Sequence, residues 1–144
     1  MRELPRIKRR KGESKVTGAA SQAFNMSNQD NQAYPGYIMG NMTLPPRGIK
    51  DAESVGTCAQ TFTYVFGQKG ALEVAYADPD TNEGSFDPDT AQRYLLSPGD
   101  VFRIPPGNTY RLENHSKEKD AFLTWTIIRA VDTQQYVNDE DSSA

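Results

Sequence analysis

Imidazole and thiol groups, which are common ligands of transition metals, occur once each in this chain of 144 residues. His115 is the single histidine, and it follows Asn114 in a polar stretch. We therefore expect an exposed turn histidine there rather than a metal ligand. Cys58 is the single cysteine, which excludes an intrachain disulfide framework and is typical of a reducing compartment. A single imidazole gives little basis for metal-dependent catalysis.

An acidic segment, residues 78–90, contains a second set of candidate ligands. Asp78, Asp80 and Asn82 have the alternating spacing of oxygen ligands that opens a calcium-binding loop. Such a loop requires glycine where this chain has Glu83, and no flanking helices are predicted. We interpret the segment as a solvated acidic loop between strands.

Charge is divided unevenly along the chain. Residues 1–15 contain seven basic and two acidic side chains, a net charge of +5, whereas residues 16–144 contain nine basic and seventeen acidic ones, a net charge of −8. A basic run near the N-terminus is predicted to contact nucleic-acid phosphates without reading bases, or to act as a nuclear-import signal. A solvated tail is the alternative. The run comprises Arg6, Lys8, Arg9, Arg10 and Lys11.

Composition divides the chain into three parts. Residues 1–33 are predicted to be a disordered basic arm followed by a flexible linker, or by a segment laid over the domain surface. Residues 133–144 are predicted to be an acidic tail. The part between them, residues 34–132, alternates short β-type runs with glycine and proline turns, and it shows no helical periodicity. This pattern predicts one all-β sandwich or barrel, and no apolar run approaches the ~18 residues of a membrane span.

Within that domain, the strands must position whatever site exists. The strongest strand is predicted over 57–66, and the turn at 67–70 is interpreted as joining it to 71–76 in a hairpin. Residues 50–57 are polar and are predicted to be a loop. Further strands are predicted at 36–44, 101–104, 109–113 and 121–129, and residues 91–96 lead into the stretch 99–114.

The stretch 99–114 organises the second half of the domain. Two short strands flank a Pro-Pro-Gly-Asn turn that cannot continue a ladder. Four of its residues have the spacing of the second cupin motif, namely Gly99, Pro105, Gly107 and Asn114. This resemblance implies a cupin, an all-β jelly-roll barrel that is also called a double-stranded β-helix.

The resemblance also locates the positions that hold metal ligands in cupin enzymes. The second motif has Tyr110 where metal-binding cupins have histidine. Counting back from Gly70, which resembles the glycine that closes the first motif, places the other ligand positions at Thr57, Ala59 and Thr63. Threonine, alanine and tyrosine are poor ligands for a divalent transition metal. We therefore expect a cupin scaffold with no metal, no cofactor and no catalytic activity.

Strand alternation predicts what fills the barrel and what faces outward. If Tyr110 points inward, the residues of matching parity do so too, namely Phe102, Ile104 and Leu112. The same counting places the aromatic side chains of the 57–66 strand on the outer face. Unless a bulge inverts the parity, this face must be covered by a second sheet, by the N-terminal segment or by a second subunit. We predict the last of these, a dimer interface that consists of Phe62, Tyr64, Phe66 and Trp125, with a place in the core as the alternative for Trp125.

Longer segments resemble the C-terminal cupin domain of the CENP-C family of inner-kinetochore proteins and its fungal members. They are Met-Thr-Leu-Pro-Pro-Arg-Gly-Ile-Lys at 42–50, Phe-Thr-Tyr-Val-Phe at 62–66, and Pro-Pro-Gly-Asn-Thr-Tyr at 105–110. The resemblance covers about residues 36–130. It implies a nuclear homodimerisation module at the centromere and kinetochore, with kinetochore or centromeric-chromatin proteins as partners. The family's nucleosome-binding motif is not evident in the arm, which leaves non-specific DNA contact there.

A small-molecule function is the alternative. A metal-free cupin can bind or isomerise a ligand such as a sugar derivative. An isomerase needs a charged acid–base pair inside the barrel, and the predicted interior contains none.

Overall fold

The computed structural model describes residues 2–3, 18–26, 36–77 and 86–129. These residues form ten β-strands, and none of them belongs to a helix that could cross a membrane. In chain order the strands are β1 (Arg2–Glu3), β2 (Ala19–Met26), β3 (Tyr37–Leu44), β4 (Ile49–Ser54), β5 (Ala59–Phe66), β6 (Leu72–Tyr76), β7 (Gln92–Leu96), β8 (Val101–Ile104), β9 (Thr109–Asn114) and β10 (Ala121–Ile128).

The strands form two antiparallel sheets that enclose one core. The six-stranded sheet has the order β1-β2-β3-β10-β5-β8, and the four-stranded sheet has the order β4-β9-β6-β7. Because side chains alternate along a strand, each sheet contributes one face to this core. The all-β prediction is confirmed. The largest fully buried side chains include Tyr64, Tyr110, Phe62, Leu44, Ile49, Leu72, Ile104, Leu112 and Leu123.

From β5 to β10, consecutive strands lie in opposite sheets except for β6 and β7, which pair with each other. β5 pairs with β10 and β8, whereas β6 pairs with β7 and β9, so the predicted hairpin of 57–66 with 71–76 is wrong. The turn at 67–70 carries the chain from one sheet to the other. A glycine-rich turn can form either a hairpin or a crossing between sheets. Packing in the core, rather than the turn, therefore determines which strands pair with β6.

Three strands lie in segments that are predicted to be a loop, a linker or a disordered arm, and the two-residue strand β1 is one of them. The predicted loop at 50–57 contains most of β4, whose residues Lys50 and Asp51 are 3% and 5% exposed. β2 lies within the predicted linker and pairs with β3 along its length. Polar composition concealed β2 and β4. The basic run at 6–11, the acidic segment at 78–85 and the tail at 133–144 lie outside the described residues.

The inward face of β5 is the opposite of the predicted one. Phe62 and Tyr64 are 0% exposed, so the prediction that they form an exposed dimer interface is wrong. Thr63 and Ala59 are only half-buried and lie on the other face, and Thr57 is exposed before the strand begins. Counting back from Gly70 assumed an uninterrupted motif, but β5 is irregular at its end, where the register with β10 shifts between Phe122 and Leu123.

The hydrophobic effect provides the physical reason for this orientation. Burying a phenylalanine-sized side chain contributes about 1.5–3 kcal/mol, which threonine cannot match. The inward face predicted for β8 and β9 is confirmed, since Phe102, Ile104, Tyr110 and Leu112 are all buried.

Candidate functional site

Tyr110 occupies the interior position at which the second motif places a ligand. β9 carries it between the sheets, where it is 1% exposed and its hydroxyl donates a hydrogen bond to Gln60 Oε1 at 3.0 Å. The Tyr110 ring lies 5.5 Å from the ring of Phe62, and Phe62 stacks on Phe102 at 4.9 Å. The side chain that faces Tyr110 from β5 is therefore Gln60, and the site consists of a phenol, an amide and stacked aromatic rings.

A charged pair that the sequence analysis missed lies beside Tyr110. Lys50 Nζ is 2.6 Å from Glu53 Oε2 and 4.4 Å from the centre of the Tyr110 ring. The lysine side chain is 4% exposed, whereas that of Glu53 is 51% exposed. Both residues belong to β4, where a loop was predicted, and no periodic apolar pattern identifies this strand. The interior thus contains an ammonium group whose carboxylate partner reaches solvent.

The surroundings of Tyr110 favour its neutral form. Burial raises the pKa of the Tyr110 hydroxyl well above its ordinary value of 10.0, and the negative charge of Glu53 raises it further. The hydrogen bond to Gln60 offsets part of this increase in pKa. A neutral phenol is a hydrogen-bond donor, and it cannot replace the imidazole lone pair that coordinates a metal.

The other residues of the second motif shape the scaffold around this interior. Gly99 and Gly107 adopt φ angles of 98° and 82°, which side chains disfavour. Asn114 is fully buried, and its amide nitrogen donates hydrogen bonds to the carbonyls of Leu44 and Lys119 at 3.0 and 2.9 Å. Asn114 therefore connects the end of β9 to β3 and to the loop that precedes β10. Pro105 is exposed in the turn between β8 and β9.

The outer face of the six-stranded sheet is almost uncharged across four strands. The cross-strand register aligns two rows of four outward residues each. Among these eight residues, Arg103 on the edge strand β8 is the single charged one. One row is Val101, Thr63, Thr124 and Asn41, and the other is Arg103, Thr61, Thr126 and Met39. We call these eight residues the threonine face.

Exposed hydrophobic side chains lie within and beside the threonine face. Val101 is 63% exposed and Met39 is 44% exposed. At the end of β5, Val65 and Phe66 are 46% and 68% exposed. Trp125 points the other way, because it packs against the core and its Nε1 donates a hydrogen bond to Asn41 O at 3.1 Å. Of the four aromatic residues predicted at an interface, Phe66 is thus the one that remains exposed.

The outer face of the four-stranded sheet is charged. Glu73 lies opposite Glu113 in the register of β6 and β9, and Ala75 lies opposite Arg111 and, on β7, Arg93. Arg93 Nη1 is 2.7 Å from Glu73 Oε2, and Arg111 Nη2 is 3.5 Å from Glu113 Oε1. Opposite charges therefore alternate along this face.

A groove of about 560 Å³ opens between the edge strands β7 and β8. Its lining combines apolar side chains such as Leu96 and Phe102 with the polar side chains of Gln92, Arg103 and Asn108. Tyr110 and Gln60 are not among the lining residues, so the groove lies beside the Tyr110 site and does not include it. The interior is packed around Tyr110, as the sequence predicts, whereas the barrel is open between β7 and β8.

Comparison with known proteins identifies the fold. No protein-family model and no curated protein sequence matches the chain. The solved cupin domain of Schizosaccharomyces pombe Cnp3 matches with a TM-score of 0.58 and 20% identity, over 84% of this chain and 66% of that one. Oxalate oxidase matches with a TM-score of 0.54 and 17% identity, over 79% and 52% of the two chains. KdgF from Halomonas sp. matches with a TM-score of 0.51 and 15% identity, over 81% and 83%.

The fold is therefore a cupin, as the second motif predicts. The chain spans about two thirds of the Cnp3 structure and about half of the oxalate oxidase structure. Because an oxidase is among the similar structures, the fold is compatible with enzymes as well as with binding domains, and the function must be argued from the residues.

Proposed function

We propose that this cupin is a non-catalytic homodimerisation module of a CENP-C-like centromere protein, and that the threonine face joins the two copies. The observation that carries the proposal is the near-absence of charge on that face. The proposed interface therefore lies on the opposite face of β5 from the one that the sequence analysis predicts, and Phe66 is at its margin.

The symmetry of a homodimer explains why an uncharged face is suitable. In a two-fold interface the same patch lies on both sides, so a charge near the axis meets its own copy. Thr63 and Thr124 are paired across β5 and β10, near the middle of the face, and their hydroxyl and methyl groups can contact the same groups of a second copy. Arg103 lies on the edge strand, where it can remain solvated.

The residues around Tyr110 support a non-catalytic role. A neutral phenol that is hydrogen-bonded to an amide and packed on the ring of Phe62 offers no imidazole or carboxylate ligand at the place where cupin enzymes hold a metal. The aromatic packing fills the interior and stabilises the barrel. On this proposal the interior maintains the shape of the sheet that presents the threonine face.

Nuclear localisation, the centromere and kinetochore partners are part of the same proposal. They rest on the sequence resemblance to CENP-C cupins, and the similarity to the Cnp3 cupin domain is consistent with them. Joining two copies would make the second of two binding events intramolecular, which strengthens recruitment without new contacts. The basic run of the arm would add non-specific affinity for DNA.

A small-molecule cupin is the second candidate, and two observations favour it. Lys50 and Glu53 form a charged pair of which the lysine is buried, as an isomerase could use, and the groove between β7 and β8 is large enough for a small ligand. The two features are separate, since neither Lys50 nor Glu53 lines the groove. We therefore favour the dimerisation module.

The mass of the native particle tests the proposal. Light scattering of the wild-type protein should give twice the chain mass of 16.0 kDa. Thr124→Lys should give the mass of one chain, because two ammonium groups would meet near the two-fold axis. Gln92→Lys adds the same charge on the exposed strand β7 and should leave the dimer intact.

Three results would contradict the proposal. A wild-type monomer would exclude dimerisation, a dimeric Thr124→Lys would place the interface elsewhere, and dissociation of both variants would show a general charge effect. Circular dichroism of each variant establishes that it is folded.

A further inference from the structure

Two glutamates face each other directly on the outer face of the four-stranded sheet. Glu73 and Glu113 are register partners, and their side chains are only 13% and 18% exposed. Like charges at directly opposed positions destabilise a sheet unless positive charge compensates them. Arg93 and Arg111 each contact one carboxylate, on Glu73 Oε2 and on Glu113 Oε1.

The other oxygen of each carboxylate faces His115. His115 Nε2 lies 3.3 Å from Glu73 Oε1 and 2.9 Å from Glu113 Oε2. One ligand atom from each of the three residues can be chosen so that all lie within 4.8 Å of one another. Nitrogen and oxygen ligands lie about 2.0–2.2 Å from zinc, which separates them by about 3.3 Å in a tetrahedral site. The nitrogen–oxygen separations are therefore close to those of a coordinated ion.

We propose that Glu73, Glu113 and His115 form a binding site for a divalent transition metal ion such as Zn²⁺. Among the residues that the structure describes, this is the group of three potential ligands that converges. Arg93 and Arg111 would hold the carboxylates in place from behind, as outer partners of metal ligands do. The side chain of His115 is 44% exposed, so the remaining coordination positions face solvent.

The proposed metal site differs from the one that cupin enzymes use. Alternation along β9 places Tyr110 on its inner side and Glu113 on its outer side, so the two sites lie on opposite faces of the same sheet. The metal site is also on a different sheet from the threonine face. Zinc binding and dimerisation can therefore succeed or fail independently.

The single histidine allows a direct test. Protein labelled with ¹⁵N-histidine and freed of any polyhistidine tag gives the ring signals of His115 alone. During titration with ZnCl₂, the Nε2 resonance should shift and saturate at one ion per chain. If His115 contacts the two carboxylates without binding zinc, its resonances will not change, and that result would overturn the proposal.

Matched variants test the carboxylate ligands. Glu113→Gln preserves size but removes the charge, and it should weaken zinc binding in calorimetry at least about tenfold. Glu118→Gln removes a carboxylate from the exposed loop after β9 and should leave the affinity unchanged. Equal affinity for all three proteins, or equal loss in both variants, would contradict the site. Because the histidine titration uses the wild-type protein, a variant that fails to fold does not affect that test.

Discussion

The outer faces of the two sheets differ in chemistry although both cover the same core. On the six-stranded sheet, Thr63 and Thr124 lie side by side with aliphatic neighbours, and Arg103 is the charged residue of the eight that form the threonine face. On the four-stranded sheet, Glu73 pairs with Arg93 and Glu113 pairs with Arg111. An uncharged face is suited to meeting a copy of itself, whereas a charged face is stabilised within its own chain.

The largest effect on stability is expected when an arginine is removed from the charged face, and the same substitution on the threonine face is its control. Arg111→Ala removes a largely buried guanidinium and leaves Glu113 without that partner, which should lower the free energy of unfolding by about 3 kcal/mol. Arg103→Ala makes the same change at an exposed position and should have an effect within about 0.5 kcal/mol. Urea denaturation of both variants measures the difference, and equal losses would contradict the contrast between the faces.

A substitution in the shared interior should destabilise each chain without altering its association. Tyr110→Phe leaves the buried amide oxygen of Gln60 without its donor, at a cost of about 2 kcal/mol in unfolding free energy. At moderate protein concentration the variant should remain dimeric in light scattering. Dissociation of Tyr110→Phe would show that the interior and the threonine face are coupled.

The same variant should change the response to alkaline pH. Because the pKa of Tyr110 is raised in the folded chain, the unfolded chain loses this proton first as the pH rises above about 10. The contribution of Tyr110 to stability is therefore complete below that pH and is lost as the pH rises toward the folded-state pKa. Tyr110→Phe should make the fall of the unfolding free energy with rising pH less steep, by up to about 1.4 kcal/mol per pH unit. An unchanged slope in urea titrations would show that Tyr110 is not the group responsible.

The sequence predicts the scaffold better than it predicts the faces. The spacing of Gly99, Gly107 and Asn114 predicts the cupin, because those turns and that buried amide are needed by the backbone whatever the neighbouring side chains are. The face predicted for β5 is wrong, because counting from Gly70 does not account for the irregularity at the end of the strand, whereas the contrast between Phe62 and Thr63 does not depend on it. Amphipathicity alone would have placed the aromatic rings inside.

The long-range contacts could not be derived from local patterns. Lys50 can be buried because its ammonium group forms an ion pair with Glu53 and a cation–π contact with the ring of Tyr110. That environment depends on pairing between β4 and β9. Similarly, Glu73 and His115 are far apart in sequence and meet only because β6 pairs with β9. Local composition contains no signal for such cross-strand partners.

The smallest expected effect concerns salt. Raising the ionic strength from about 0.1 M to about 1 M shortens the screening length from about 10 Å to about 3 Å. A dimer joined through the threonine face should change its dissociation constant by less than about twofold, because few charges approach each other there. Sedimentation equilibrium at both salt concentrations measures this change. A tenfold weakening would indicate that the charged face takes part in the contact.

The most direct test of the account is an isotope-filtered nuclear Overhauser experiment on a mixture of ¹³C-labelled and unlabelled chains. Such a spectrum detects contacts between copies and excludes those within one chain. The account predicts intermolecular signals to the methyl groups of Val65, Val101, Met39 and Thr124. Signals confined to Leu95 on the edge strand β7, or none at a concentration at which light scattering gives a dimer, would contradict it.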